Sequence, residues 1–543
     1  MCKRFTPAVL VLGLCWSLEL SAQDSTTTHQ PDSLSAVVAQ GPVIPEDSLL
    51  AFLNHLSYEV SEHTLTGRGH TQLDKTPGYA AFAAKYQFTP ENLHSYLYRW
   101  AQSPAVVADS NTQVQASRYY YLRRLQQSSE QFEQSALQQE VVLPARLKAE
   151  DLHDVTIAPA IANTVTAWYL AGNSANEAGN YVRAVRLYRR ADSLLSFGNA
   201  SLMPAPLLAM RSYVEELLAA ALYEEGRRIG DTEGYLLLAQ GLSLERALLV
   251  RYSRSSYPEE WARTKSNLGT ILEAQGELIE GGDSLYKEAH DAFLEATMVY
   301  TRGQYPQDWA RMKNNIGVIQ SKLGKIEEAI TAFREALDIY TQKDHAADWA
   351  LTQYNIGNMY QFKATEAKGG EGLSLFQQSV AAYKAALTVF TAKNDPDEYG
   401  WVQHKLGVSL FQQGRRIDGR NLLTEAVEAF RAALTVRTKE GSPTAWASTQ
   451  YNLGTTLWEE NSRAAGGNVA LLDEAVKAFE AALTIYNKKD YPDQWFNTQN
   501  SLGLLYEQKQ QWANAIKHFE NIRDIEPMYA TQKVNELRKR SGH

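Results

Sequence analysis

The chain has 543 residues and a formal net charge of −9, with its 62 acidic and 53 basic residues interspersed. This length exceeds what one compact core usually holds, so we expect several domains or a repeat array. Hydrophobic residues make up 44% and charged residues 21% of the chain, which excludes wholesale disorder and a collagen-like structure. The acidic balance gives no reason to expect nucleic acid as a partner.

Residues 1–22 are organised like a secretory signal peptide. Lys3 and Arg4 precede the apolar run "PAVLVLGLCWSL", and "ELSA" ends the segment with small residues. The apolar run is too short to span a membrane, and no later segment has the roughly twenty apolar residues that a spanning helix needs. We therefore predict export to the periplasm or the cell exterior. Cys15 leaves lipidation open as an alternative, although the preceding Leu14 is bulky where a lipoprotein signal has a small residue.

Both cysteines, Cys2 and Cys15, lie inside this segment. Cleavage after Ala22 would leave a mature protein without cysteine. Disulfides, thiolate catalysis and cysteine-ligated zinc are then all excluded for that form.

The segments before the repeats carry no recognisable fold. Residues 23–45 are rich in Ser, Thr, Gln and Pro and are predicted to be a flexible linker. Residues 46–160 are predicted to be helical but of unknown fold, and "QASRYYYLRRLQQSSEQFEQSALQQ" (115–139) to be one long helix. One cluster here resembles metal ligands, but its spacing matches no known metal motif, so we predict neither a metal nor a cofactor. The cluster consists of His55, His63, His70 and Asp74.

The rest of the chain repeats a motif of which "YPQDWARMKNNIG" (305–317) is one copy. Six copies recur about every 40 to 50 residues and end at Gly269, Gly317, Gly357, Gly407, Gly454 and Gly503. Trp stands eight residues before the Gly in five copies, and Tyr399 replaces it in the other. A second motif follows each Gly, such as Ala329, Phe333 and Ala336, whose spacings of four and three place its residues on one helix face.

The recurring Gly lies inside the first predicted helix, where Gly costs about 1 kcal/mol relative to Ala. Six such residues need a physical reason. Close approach of a neighbouring helix at that point supplies one.

Two helices per unit, with Gly in the first and Ala-x3-aromatic-x2-Ala in the second, resemble the tetratricopeptide repeat. The last copy has Gly503, Tyr506, Ala515, Phe519 and Pro527 at the family spacing. Including a copy at Gly172 and a weaker one near residues 201–252, about eight units cover residues 163–530. Residues 531–543 form a basic C-terminal capping helix or tail. The resemblance implies an all-α, right-handed α-solenoid with a concave face.

The long repeats also look like those of bacterial proteins linked to CHAT or caspase-like protease domains. We expect no protease domain in this chain.

Residues six, three and two positions before each Gly, and one after it, share a helix face apart from the Trp and Leu stripe. In the family that this chain resembles, this face lines a peptide-binding groove. The candidate groove residues are Asn267, Asn315, Asn355, Asn452, Arg263, Arg311, Tyr354, Trp401, His404 and Tyr451. The Asn side chains can hold an extended peptide backbone, the Arg side chains a carboxylate, and the aromatic rings apolar or planar groups.

Each of these roles has a structural alternative. The Asn residues would then bond to neighbouring helices or water, the Arg residues would be solvated, and the rings would be partly packed. Ser266 and Thr270 occupy two positions of the family's carboxylate clamp for C-terminal peptides, so that function is not transferred.

The sequence has no Gly-x-Ser-x-Gly, P-loop, dinucleotide fingerprint or His-Glu-x-x-His motif. We therefore predict no enzyme but an exported scaffold that binds a protein or peptide in the groove. The alternatives are a carbohydrate- or nutrient-binding helical-repeat protein, an adaptor for a separate protease, and an enzyme with its catalytic domain in residues 46–160.

Overall fold

The computed structural model describes residues 102, 112–121, 124–144, 147, 154, 157–196, 203–367, 369–417, 419–464 and 467–542. Within these ranges the chain forms nineteen α-helices and no strand. No helix in them is long and apolar enough to cross a membrane. The signal peptide, the linker and the His55 cluster lie outside the described residues.

The contacts divide the chain at Asp308 and Trp309 into two units. The helices of the first unit are α1 (Thr112–Tyr121), α2 (Leu125–Glu140), α3 (Ile157–Glu177), α4 (Tyr181–Ser193), α5 (Ala205–Ile229), α6 (Thr232–Arg251), α7 (Pro258–Glu277) and α8 (Asp283–Ala296). Consecutive helices pack against each other. The core of this unit includes Phe132, Trp168, Tyr188 and Leu217, from α2 to α5.

One prediction for the first unit is wrong. The polar-faced stretch 115–139 is two helices, because the chain leaves the helical conformation at Arg124 (φ −91°, ψ 62°). Helices α1 and α2 pack against each other and bury Ala116, Phe132 and Ala136. A single straight helix would leave these apolar side chains without that contact.

The boundary between the units lies within α9 (Pro306–Lys322). The later helices are α10 (Ile326–Leu337), α11 (Ala346–Glu366), α12 (Gly369–Ala386), α13 (Pro396–Arg416), α14 (Arg420–Leu434), α15 (Pro443–Ser462), α16 (Val469–Leu483), α17 (Pro492–Gln508), α18 (Trp512–Asn521) and α19 (Pro527–Ser541). The basic C-terminal segment belongs to α19, which packs onto the core of this unit through Val534 and Leu537.

The Gly recurs at the same position of each repeat for the predicted reason, which is the close approach of a neighbouring helix. In every copy the aromatic ring of the second helix lies directly over the Gly of the first. A Cβ at Gly317 would lie 2.7 Å from Phe333, and one at Gly357 would lie 2.6 Å from Tyr383. Such distances leave no room for a methyl group, so the Gly permits the two helices of a repeat to close on the ring.

Together these contacts establish an α-solenoid fold of helix–turn–helix repeats. Within each of the two units, neighbouring helices pack against one another, as expected for repeats that cannot form a core alone.

Candidate functional site

The four candidate Asn residues occupy two kinds of environment. Asn267 donates a hydrogen bond from Nδ2 to Glu245 Oε1 on α6 at 3.2 Å. Asn355 is buried and donates to Asn314 Oδ1 on α9 at 3.4 Å. These two residues bond to neighbouring helices, as the structural alternative supposed. Asn315 and Asn452 are partly exposed.

The two candidate Arg residues also differ. Arg263 forms an ion pair with Glu216 on α5 at 3.0 Å, and the side chains are only 11% and 4% exposed. The carboxylate that Arg263 meets therefore belongs to this chain. Arg311 on α9 is partly exposed.

Three candidate rings three positions before the Gly contact the second helix of their own repeat. Tyr354 lies 5.9 Å from the Tyr383 ring, and Tyr451 lies 5.5 Å from Phe479. His404 lies 5.6 Å from Phe430, also measured between ring centroids.

Tyr354 is only 5% exposed and belongs to the core in this structure. The reason is that a residue three positions before the Gly lies on the same face as the Gly, and the covering ring is large enough to reach both. Trp401 packs partly buried against the core of the second unit.

The first unit contains a buried polar network between α5, α6 and α7. Glu216, Glu245 and Ser266 are each no more than 3% exposed. Burial, and next the Glu216 carboxylate, raise the pKa of Glu245 well above its usual value. Glu245 Oε2 is buried without a hydrogen-bond partner, while Oε1 accepts from Asn267. Burial and the neighbouring Glu216 charge therefore favour the protonated, neutral form of Glu245.

Replacing Glu245 by Gln tests this protonation state. Because the folded pKa of Glu245 exceeds its ordinary value of 4.5, its ionisation opposes folding, and the wild type loses stability as pH rises from that value through the folded pKa. Gln has the same shape and no ionisation, so the variant should gain on the wild type by up to about 1.4 kcal/mol per pH unit in that window.

The measurement is urea denaturation of both proteins from pH 4 to pH 8. A difference in the free energy of unfolding that is constant with pH would contradict a protonated Glu245.

A second polar cluster lies in the second unit, around Arg437, which follows α14. Arg437 Nη1 donates to Thr449 Oγ1 on α15 at 3.2 Å, and His404 Nδ1 lies 3.0 Å from the same oxygen. The Thr449 hydroxyl donates its own hydrogen to the Ala445 carbonyl at 2.7 Å. His404 Nδ1 must therefore be the donor to Thr449, which leaves Nε2 as an acceptor.

Burial lowers the pKa values of all three basic side chains in this cluster. Burial, followed by the Arg437 and Lys405 charges, holds the pKa of His404 well below its ordinary value. Burial and the Arg437 charge also lower the pKa of Lys405, and burial lowers the pKa of Arg437 to about 10. At neutral pH His404 is neutral and Arg437 carries positive charge.

Sequence reasoning missed Arg437 because it anchored each repeat on its Gly and stopped at the second helix. The signal was nevertheless present. The sixth residue before the first helix of the next repeat is aromatic in the other copies, at Tyr252, Tyr300, Tyr340, Phe390 and Tyr486. Arg437 breaks that series.

No group of three or more His, Cys, Asp or Glu residues is placed to hold a metal within the described part of the chain. The candidate binding features in this part of the chain are therefore the exposed faces of the first helices and the two polar clusters around Glu245 and Arg437.

A family model of the tetratricopeptide repeat matches residues 310–343, which span the first and second helices of the repeat at Gly317. Residues 310–343 are a tetratricopeptide repeat. The match confirms the resemblance on which the fold prediction depended. The link to CHAT or caspase-like proteins finds no support in it.

The solved structures that match this chain share little sequence identity with it. One is a TPR repeat-containing protein from Cytophaga hutchinsonii, with 11% identity over 58% of this chain and 98% of that chain and a TM-score of 0.38. The human IFIT1 dimer with m7Gppp-AAAA has 13% identity over 91% and 96% of the two chains and a TM-score of 0.37. The apo quorum sensor NprR from B. thuringiensis has 14% identity over 69% and 99% and a TM-score of 0.36.

At these identities no function follows from the likeness. The comparison with curated proteins found no match to this sequence.

Proposed function

We propose that this tetratricopeptide-repeat protein is an exported, non-enzymatic scaffold that binds an extended segment of a partner protein. The repeat fold is that of a protein–protein interaction scaffold. Export is proposed from the signal-peptide pattern of residues 1–22, and peptide binding from the exposed face of the first helices.

One observation carries the proposal. Residues six positions before and one position after each Gly are exposed or partly exposed in all six copies, and residues two positions before it in five of them. Their spacings of four and three form one row along each first helix. In the second unit this row includes Arg311, Asn315 and Val318 on α9 and Ser448 and Asn452 on α15.

The chemistry of the row suits an extended peptide. Asn315 and Asn452 each offer an amide donor and acceptor that match backbone C=O and N–H groups without selecting a side chain. Leu351 and Trp401, six positions before their glycines, add apolar surface that is partly exposed. Backbone recognition with a few apolar contacts gives binding without strict sequence specificity.

The test is capture of partners from the native periplasmic or culture fraction by the wild type and by Asn315→Ala/Asn452→Ala. Both Asn side chains are partly exposed, so the variant should fold normally by circular dichroism and lose the partner. Asn394→Ala, at an exposed loop position, is the matched control and should retain it.

Equal capture by wild type and double variant would contradict the groove as the binding site. Enrichment of glycans without any protein would contradict the scaffold and favour the carbohydrate-binding alternative. Residues 1–22 are tested separately, since the mature N-terminus of the exported protein should be Gln23.

A further inference from the structure

The repeat formed by α13 and α14 departs from the other repeats at several positions. The Trp, Ala and Asn of the first motif become Tyr399, Gly400 and Lys405, and Arg437 follows the second helix. Two of these departures, Gly400 and Arg437, are in contact with each other and therefore need a common physical reason.

The position of Arg437 normally holds a buried ring. Tyr340 and Tyr486 are 6% and 4% exposed. Tyr340 packs with Ala310 in one apolar cluster, and Tyr486 packs with Ala447 in another. These Ala residues lie seven positions before the Gly of their repeats, so the regular contact is a ring on a methyl group.

Arg437 packs against Gly400, which lies seven positions before Gly407 and so corresponds to Ala310 and Ala447. A Cβ at Gly400 would lie 3.2 Å from Arg437 Cγ and 2.9 Å from Val436 Cγ2. This repeat therefore has a guanidinium where the other two have an aromatic ring, and Gly where they have the methyl group of Ala. The two changes form one altered contact, although 36 residues separate them in the chain.

The altered contact leaves a buried donor without an acceptor. Arg437 Nε is buried and makes no hydrogen bond, and the guanidinium reaches the Thr449 hydroxyl only through Nη1. The carboxylate of Asp397 attracts Arg437. In the part of the chain that the structure describes, however, no carboxylate forms an ion pair with Arg437 or Lys405.

The buried cation of the first unit, Arg263, has a counterion. Arg263 on α7 has the Glu216 carboxylate at 3.0 Å. A buried or half-buried cation without a counterion is costly, and a protein normally supplies the anion itself. Around Arg437 lie Lys405, the Thr449 hydroxyl and a neutral His404, and the Asp397 carboxylate attracts Arg437 without forming an ion pair with it.

We propose that Arg437 and Lys405 form a binding site for a carboxylate side chain, Asp or Glu, of the segment bound by the second unit. Arg437 offers donors in a planar fork that matches a carboxylate, and the Lys405 ammonium adds a second charge. This site deepens the proposed function and rests on it, because it names the chemistry of the bound segment.

The experiment is titration calorimetry of the full chain with a hexaglutamate peptide at low ionic strength, with hexaglutamine as the uncharged peptide. Wild type should bind hexaglutamate and not hexaglutamine. Arg437→Tyr combined with Gly400→Ala restores the ring-on-methyl contact of the other repeats, so this variant should fold at least as stably as wild type. It should bind hexaglutamate at least about tenfold more weakly.

Two further variants control for net charge and for folding. Arg431→Gln removes one charge from an exposed ion pair with Glu474 and should leave hexaglutamate binding within about twofold of wild type. Lys405→Asn restores the residue found at that position in four other repeats. It should weaken binding even if the double variant does not fold.

Equal loss of binding in Arg431→Gln and the double variant would show general charge attraction and overturn the site. Absence of hexaglutamate binding to the wild type would overturn it as well. Inorganic phosphate that competes at concentrations equal to those of free glutamate would overturn the carboxylate assignment.

The failure of this inference and of the proposed function are separable. A partner captured equally by wild type and by the Gly400→Ala/Arg437→Tyr variant would overturn the carboxylate site and leave the groove proposal standing. A wild type that binds hexaglutamate through Arg437 but captures no protein partner would overturn the groove proposal and leave the carboxylate site standing.

Discussion

Replacing Gly317 by Ala should destabilise the second unit by about 1–3 kcal/mol, although Ala is the better helix former by about 1 kcal/mol. The new methyl group would lie 2.7 Å from Phe333 Cε1 and 2.8 Å from Cδ1. Phe333 is 1% exposed, so its ring has no free space to move into. Relief of the overlap requires α9 and α10 to separate, which weakens the packing of the whole repeat.

Chemical denaturation with hydrogen exchange of the α9 and α10 amides measures this effect. Gly370→Ala is the matched control, since Gly370 lies in the first turn of α12 and a Cβ there would meet nothing within 4 Å. That variant should be neutral or more stable by up to about 1 kcal/mol. A Gly317→Ala variant as stable as wild type would contradict the assigned role of the recurring Gly.

Replacing Glu216 by Ala should cost about 3–5 kcal/mol, because it leaves the Arg263 guanidinium in the interior of the first unit without its carboxylate. The pair is 3.0 Å long and its side chains are 11% and 4% exposed. Loss of the Glu216 charge also removes one of the two causes that raise the pKa of Glu245.

Two comparisons distinguish buried charge from lost packing. Glu216→Leu combined with Arg263→Met removes both charges and keeps apolar volume, and should cost much less than Glu216→Ala alone. Arg246→Ala breaks an ion pair with Glu288 in which the side chains are 54% and 44% exposed, and should change the free energy of unfolding by less than about 1 kcal/mol. A double variant as unstable as Glu216→Ala would show that the ion pair itself stabilises the fold.

Much of the fold followed from the spacing of a few residue types. A Gly in the first helix and an aromatic residue in the second recur in register, and helical geometry places them on facing surfaces. The contact of Gly357 with Tyr383 is the predicted close approach. The break at Arg124 was not predicted, since nothing local in "YYLRRLQQ" prevents a helix. The packing of α1 on α2 decides it.

The candidate site was less predictable. Helical spacing placed Asn267, Asn315 and Asn355 on one face, but it did not distinguish side chains that meet a neighbouring helix from those that meet solvent. Asn355 is buried and Asn315 is partly exposed, although both occupy the same place in the repeat. The neighbouring helix decides this, since Asn355 meets Asn314 on α9.

The sequence by itself determined that this chain is a helical-repeat protein with a ring closing on a Gly in each repeat, because both are consequences of periodicity along the chain. Only the tertiary structure decided which polar residues are available to a partner. It paired Arg263 with Glu216, and it placed Arg437 on Gly400 without an ion-pair partner among the described residues. Whether a buried charge is neutralised depends on groups that are distant in sequence and adjacent in space, and periodicity does not encode that adjacency.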